Sequence, residues 1–279
     1  MDANKKKQLQ IVATKARMGI IEGVYNAKAG HPGGSLSVVD VLTYLYFEHM
    51  NIDPNDPDKK DRDRFVLSKG HAAPALYAVL ALRGFFPTDE IKLLRKTNQM
   101  LQGHPCIHIP GVDMSTGSLG QGISTACGMA LAGKIDGASY HVYTALGDGE
   151  LEEGQVWEAA MFAASKKLDN LTAIVDFNNL QIDGCLEEVN SPCPIDEKFM
   201  AFGWDVTVID GNDFDQIEKA FAHAATVKGK PSVIIAKTIK GKGVSFMEND
   251  AGWHGKAPNA EQYAEAMNQL DAALAALEG

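Results

Sequence analysis

The chain has little cysteine, no excess of basic residues and no long apolar run, and each shortage excludes something. Its four cysteines (Cys106, Cys127, Cys185 and Cys193) form no C-x-x-C pair, so they read as reduced thiols rather than a disulfide framework or a zinc ribbon. Cys106 lies between His104 and His108, but Pro105 and Pro110 give that stretch the character of a loop, and zinc is not expected there. Lys and Arg number 26 against 36 Asp and Glu, for a net charge of -10. A nucleic-acid binder would show a basic face instead. No apolar run approaches the length of a membrane span. The opening Met1-Asp2-Ala3-Asn4-Lys5-Lys6-Lys7 has basic residues with no apolar segment behind them, so no secretory signal is expected, and the expected location is cytoplasmic. No repeat, low-complexity tract or linker interrupts the 279 residues, so a single domain over 1–279 is expected.

What is present is an alternation of helical and strand-like patterns. Residues 8–28 read as a helix, broken by Gly30-His31-Pro32-Gly33-Gly34, with Ser35 as the cap of a next helix from Val38 to Met50. Phe65 to Leu67 reads as a short strand, Ala72 to Arg83 as a helix, and Thr88 to Arg95 as a helix capped by Thr88. Gln102 to Gly122 is a long loop rich in Gly and Pro, a length that within a domain usually signals function. Ile123 to Lys134 is a helix of small residues. Further strands are expected at Phe202–Val208 and Ser232–Lys237, with a helix over Phe214–Val227 between them. At about 259–278, Tyr263, Met267, Leu270, Leu274 and Leu277 recur at the spacing of an amphipathic helix. The alternation predicts an α/β fold, a doubly wound parallel sheet flanked by helices.

The richest stretch is Gly147-Asp148-Gly149. It follows an apolar run (Tyr140 to Leu146) and precedes a helical pattern (about Glu153 to Lys167). A second apolar run, Leu171 to Phe177, ends at Asn178-Asn179. In a parallel strand–helix–strand unit both strand ends lie on one edge of the sheet. Asp148 and Asn178 therefore bring oxygens into one small volume. One charged and one neutral oxygen ligand suit Mg²⁺ or Ca²⁺, with room left for phosphate oxygens. The glycines let backbone N–H groups approach a diphosphate. The alternative is two ordinary strand-end turns. The spacing resembles the diphosphate-binding motif of thiamine diphosphate enzymes.

His31, His71, His104 and His254 each sit beside a glycine. Imidazoles donate to phosphate, polarise carbonyls and move protons near neutral pH, although glycine loops also collect polar residues without function. Glu158 interrupts a helix that is apolar on nearly all sides. A helix of that kind is expected to be buried, where a carboxylate needs a partner or a proton; a single wet edge is the alternative.

Taken in order, Gly30-His31-Pro32-Gly33, Ser68-Lys69-Gly70-His71-Ala72, Gly103-His104-Pro105, Ser115 to Gly122, Gly147 to Gly154, Asn178 and Ile182-Asp183-Gly184 resemble the amino-terminal half of a transketolase over about residues 8–258. The resemblance implies a thiamine diphosphate-binding fold, with Mg²⁺ (Ca²⁺ or Mn²⁺ as alternatives) held by Asp148, Asn178 and the carbonyl of Leu180. It implies Gly149, His71 and His254 at the diphosphate, Gly117 and Leu119 at the aminopyrimidine, and His31, His104 and His254 at the sugar. Glu153 and Glu158 resemble glutamates at the interface between active sites, Glu153 also on the cofactor side. Ala29 and Lys69 depart from the serine and asparagine of many relatives and are expected near the substrate mouth.

A complete transketolase is more than twice as long. The expectation is a split enzyme: this chain as the amino-terminal subunit, and a separate chain bearing the pyrimidine-binding domain, two copies of each. A fragment of a longer chain is the alternative. The expected reaction moves a two-carbon ketol unit from a ketose phosphate to an aldose phosphate. Rivals are a related enzyme for a branched or sulfonated sugar, a deoxyxylulose-phosphate synthase, the alpha subunit of a 2-oxo acid dehydrogenase, or a non-catalytic regulatory subunit that keeps the cofactor site.

Overall fold

The runs at 142–147, 171–177 and 232–237 are buried along almost their whole length, as strands covered on both faces must be. A computed structural model describes all of residues 1–279. Five strands, β1 (Arg64–Leu67), β2 (Val142–Gly147), β3 (Leu171–Phe177), β4 (Asp205–Asp210) and β5 (Ser232–Lys237), form one sheet in the order β1-β2-β3-β5-β4. Every pairing is parallel. The doubly wound expectation is met.

Helices α1 (Ala3–Ala27), α2 (Pro32–Tyr44), α3 (Ala73–Arg83), α4 (Gln121–Asp136), α5 (Gly154–Ser165), α6 (Leu186–Val189), α7 (Ile195–Ala201), α8 (Phe214–Ala224) and α9 (Ala260–Glu278) surround it. One apolar core joins α1, α2, α3 and α8 to one face of the sheet. A second joins α4, α5 and α7 to the other face. The amphipathic α9 begins with a reciprocal Asn259–Gln262 capping box, worth about 1 kcal/mol. It lies on α1, with Tyr25 and Tyr263 stacked at 4.1 Å.

Several boundaries differ from the sequence expectation. α2 begins at Pro32, not Val38: proline suits the first helical turn, and Gly30, at φ 145°, breaks the chain before it. Ser35 is therefore inside the helix, where its hydroxyl donates to the His31 carbonyl (2.7 Å) instead of capping. After Tyr44 the helix widens into a π turn, Leu45–His49. Thr88–Leu93 is a 3₁₀ turn without a side-chain cap. β4 starts at Asp205, because Gly203 (φ 88°) turns the chain after α7. No helix is long and apolar enough to cross a membrane.

Register sets up the site. Gly147 is level with Asp176, and Asp176 with Ala236. The loops that leave β2, β3 and β5 therefore depart from one edge at one height. Leu67 is level with Ala145, which brings the loop after β1 to the same place.

Candidate active site

Asp148 follows β2 and is 3% exposed. Its carboxylate accepts the N–H of Gly149 (2.8 Å) and of Asn179 (2.6 Å), which ties the β2 loop to the β3 loop. Burial, reinforced by the charge of Asp176, pushes its carboxyl up to about 6. A carboxylate held at that cost is one that a bound cation would stabilise. Asn178 donates its amide nitrogen to Asp176 (3.2 Å), while its amide oxygen accepts the N–H of Leu180 (3.2 Å). A single pocket is lined by Asp148, Gly149, Asn178, Leu180, Leu119, His71 and His254.

Of two lysines in this pocket, Lys240 had no expected role, and Lys69 is placed deeper than expected. Lys240, just past β5, is 2% exposed; its ammonium donates to the Leu180 carbonyl (2.8 Å) and to Nδ1 of His254 (3.1 Å). Burial brings its pKa down to about 8, against the opposing pull of Asp148. Lys69, expected near the substrate mouth, is instead 1% exposed at the back of the same pocket, ion-paired with Asp176 and bonded to the Gly34 carbonyl (2.9 Å). Asp176 also accepts the hydroxyls of Ser37 and Thr238. Both lysines stand within a few residues after the C-terminal end of a parallel strand, the position that singles out Asp148 and Asn178.

The four histidines converge. Ring centroids of His31 lie 5.3 Å from His71, 5.4 Å from His254 and 6.5 Å from His104, and His71 lies 5.1 Å from His254. Burial pushes all four below the ordinary histidine value, His71 well below it and His254 to about 3, with Lys240 adding to the effect on His254. They are neutral near pH 7. Because Lys240 donates to Nδ1 of His254, that ring carries its proton on Nε2. Nδ1 of His31 is buried without a partner. The His104 backbone is held by the hydroxyl of Tyr77 (2.8 Å). Arg95, in left-handed backbone at φ 60°, packs against Gly103, and its charge lowers the pKa of His104.

Gly117, at φ 159°, approaches His104 so closely that a Cβ there would lie 3.3 Å from the ring. The loop that carries it is fixed to β1 by the Thr116 hydroxyl, which donates to the Leu67 carbonyl (2.7 Å).

Glu153 and Glu158 are not brought into the pocket. Both are exposed at the start of α5. The burial expected for Glu158 is corrected: α5 buries only Val156, Ala159, Ala160 and Ala163, and its other side presents Glu158, Met161 and Phe162 to solvent.

The donor set suits an anionic cofactor held with a hard cation. Two buried ammonium groups and neutral imidazoles offer N–H donors to phosphate oxygens, while one carboxylate, one amide oxygen and one carbonyl suit Mg²⁺ better than zinc. Nowhere in the chain do three or more His, Cys, Asp or Glu gather as a metal site, Cys106 and its neighbouring histidines included.

Residues 8–273 match the model of the family described as transketolase, thiamine diphosphate binding domain. The chain is 45% identical over 270 residues to one of the subunits of an apulose-4-phosphate transketolase from Phocaeicola vulgatus, covering 97% of this chain and 96% of that one. It is 47% identical over 264 residues to the 6-deoxy-6-sulfo-D-fructose transketolase subunit SqwG of Clostridium sp., covering 94% of this chain and 96% of that one. The solved transketolase from Campylobacter jejuni superposes with a TM-score of 0.90 at 32% identity, over 99% of this chain and 46% of that one.

Proposed function

This chain belongs to the transketolase family as its thiamine diphosphate-binding part, and on that premise we propose that it is the amino-terminal subunit of a split transketolase. The observation that carries the proposal is the pocket itself. Asp148, Asn178, Lys69, Lys240, His71 and His254 meet at one sheet edge, each from the end of a strand or the loop beyond it.

Asp148, the amide oxygen of Asn178 and the Leu180 carbonyl would hold the divalent cation, Mg²⁺ being the best match to such oxygens. Lys69, Lys240, His71 and the N–H of Gly149 would hold the diphosphate, with Gly117 and Leu119 against the aminopyrimidine. When bound, thiamine diphosphate supplies the electron sink that lets a carbon–carbon bond beside a ketose carbonyl break and re-form. The chain contributes placement and proton handling. His254, with its proton on Nε2, donates to a developing oxyanion. His31 and His104, neutral and set at the mouth, orient the sugar hydroxyls and carry protons to and from them.

The two relatives named as subunits imply a separate partner for this chain, and an α2β2 assembly is the arrangement we assign. The partner would bring the pyrimidine-binding domain. The exposed face of α4 and α5, with Ile135 76% and Met161 51% exposed, is the surface it or a second copy would cover. Glu153 and Glu158 lie beside that face and would act only across the interface.

A second reading concerns the sugar. The two relatives are named for apulose 4-phosphate and 6-deoxy-6-sulfo-D-fructose, so an unusual ketose is as well supported as a pentose-phosphate donor. A donor panel decides: ketol transfer to an aldose phosphate from xylulose 5-phosphate, from a branched ketose phosphate and from a sulfonated ketose. A dominant rate with one donor assigns the substrate. Silence with every donor, in a complex that binds the cofactor, would favour a regulatory subunit.

A further inference from the structure

Glu150 lies two residues past Asp148 and is 2% exposed, yet no role in the chemistry above falls to it. One carboxylate oxygen accepts the Ser68 hydroxyl and the N–H of Gly120 (2.8 Å); the other accepts the N–H of Gly147 (3.0 Å). These donors sit on three different segments of the chain. Ser68 follows β1, Gly120 follows Leu119 at the end of the long loop, and Gly147 closes β2 just before Asp148.

The segment after β1 and the Gly117–Gly122 segment are in close contact beside Glu150, and the Glu150 carboxylate is what ties the end of β2 to them. A Cβ on Gly122 would fall 2.5 Å from the Ser68 Cα, and one on Gly70 would fall 2.8 Å from the Gly117 nitrogen. Gly120 itself is at φ 80°. A shift of the Gly117–Gly122 segment is therefore passed to the segment after β1 by contact, and to the end of β2 through Glu150.

We propose that Glu150 is a positioning residue, whose carboxylate fixes the loop of Gly117 and Leu119 against the loop of Asp148 and Gly149 and so sets the spacing of the two ends of the cofactor site. This rests on the thiamine diphosphate site proposed above. The role requires a carboxylate rather than a polar side chain of that size. A hydroxyl such as that of Ser68 can turn, but a backbone N–H cannot. Glutamine has the same shape, yet its NH₂ must oppose either Gly120 or Gly147 whichever way it is flipped, leaving one buried N–H without an acceptor. Aspartate keeps both acceptors but is a methylene too short to reach both loops.

The test compares wild type, E150Q, E150D and S68A as the full chain combined with the cognate pyrimidine-domain subunit. It titrates thiamine diphosphate at saturating Mg²⁺ and measures the sugar KM at saturating cofactor. An orphaned buried donor predicts a cofactor Kd raised about tenfold in E150Q, with the sugar KM unchanged. S68A, which leaves both N–H groups paired, keeps the wild-type Kd. Amide exchange of the full chain alone should accelerate at Gly120 or Gly147 in E150Q and not along β3. General destabilisation would reduce the amount of active enzyme without this split between Kd and KM. Should E150Q not fold, E150D carries the same prediction. Wild-type Kd and wild-type exchange in the folded variant would overturn the positioning role alone. A wild-type complex that binds no thiamine diphosphate would overturn both this role and the proposed function.

Discussion

The ammonium of Lys240 stands 3.1 Å from Nδ1 of His254 and, on its other side, 2.8 Å from the Leu180 carbonyl. One buried cation thus links a group assigned to the sugar and diphosphate with a group assigned to the metal. It also selects which nitrogen of His254 carries the proton.

Lys240→Met keeps the volume and removes the charge. It should weaken thiamine diphosphate binding at least about tenfold, the loss expected of a charged hydrogen bond, and free His254 to adopt either tautomer. A fluorescence titration with cofactor and Mg²⁺ checks this. Unchanged affinity would mean that Lys240 does not reach the diphosphate.

Asp148→Ala removes the only carboxylate among the assigned metal ligands. Mg²⁺-dependent cofactor binding should be lost, while the fold survives with little change in stability, because relief of a carboxyl that burial pushes up to about 6 offsets the loss of an acceptor by the Gly149 and Asn179 N–H groups. Calorimetric titration of Mg²⁺ with thiamine diphosphate reads the first effect and thermal melting the second. Retained Mg²⁺ dependence would remove Asp148 from the metal site.

The sheet, its parallel sense and the convergence of Asp148 and Asn178 on one pocket were legible in the sequence because local signals determine them: apolar runs of strand length, glycine at strand ends, and a crossover helix between. β3 and β5 match their expected bounds for that reason. Lys240 was not legible as a site residue, and Lys69, expected near the substrate mouth, was not legible as a buried ion-pair partner of Asp176. Neither lysine belongs to a periodic apolar pattern, so their burial, to 1% and 2% exposure, depends on contacts with Asp176, Gly34 and Leu180 that are distant in the chain. The α2 start was hidden behind Ser35, a good cap by type, while Pro32 was the residue that began the helix. Glu158 takes the wet edge that stood as the alternative to burial, because periodicity cannot tell a helix buried by its own chain from one left open to solvent on one side.

His104→Ala should keep cofactor affinity and lose most turnover, about a hundredfold if it carries protons to and from the sugar. His104 is exposed, with its ring 6.5 Å from that of His31, and does not line the pocket of Asp148 and Asn178. Steady-state kinetics at saturating cofactor check this. Unchanged kcat and sugar KM would return His104 to a loop-packing role.

Acid stability has a separate source, His141, at the opposite end of β2 from the site. Its Nε2 lies 2.9 Å from the Thr172 hydroxyl, and burial, helped by the charges of His49 and Lys228, brings its pKa down from 6.5 to about 4. The folded value lies below the unfolded one, so the neutral form is favoured in the fold. The contribution is full above pH 6.5 and is lost as the pH falls towards 4, at most about 3 kcal/mol. Melting temperatures across that window should fall less steeply in His141→Gln than in wild type. Parallel curves would show that His141 does not drive the loss.

The most direct test of the split-transketolase assignment is ketol transfer with thiamine diphosphate and Mg²⁺, run with this chain alone and again with a cognate pyrimidine-domain subunit, over a panel of ketose donors. The expected result is turnover only in the mixture, abolished by Asp148→Ala. Turnover by this chain alone would contradict the split assignment. Silence of a formed, cofactor-loaded complex toward every ketose would contradict the transketolase assignment.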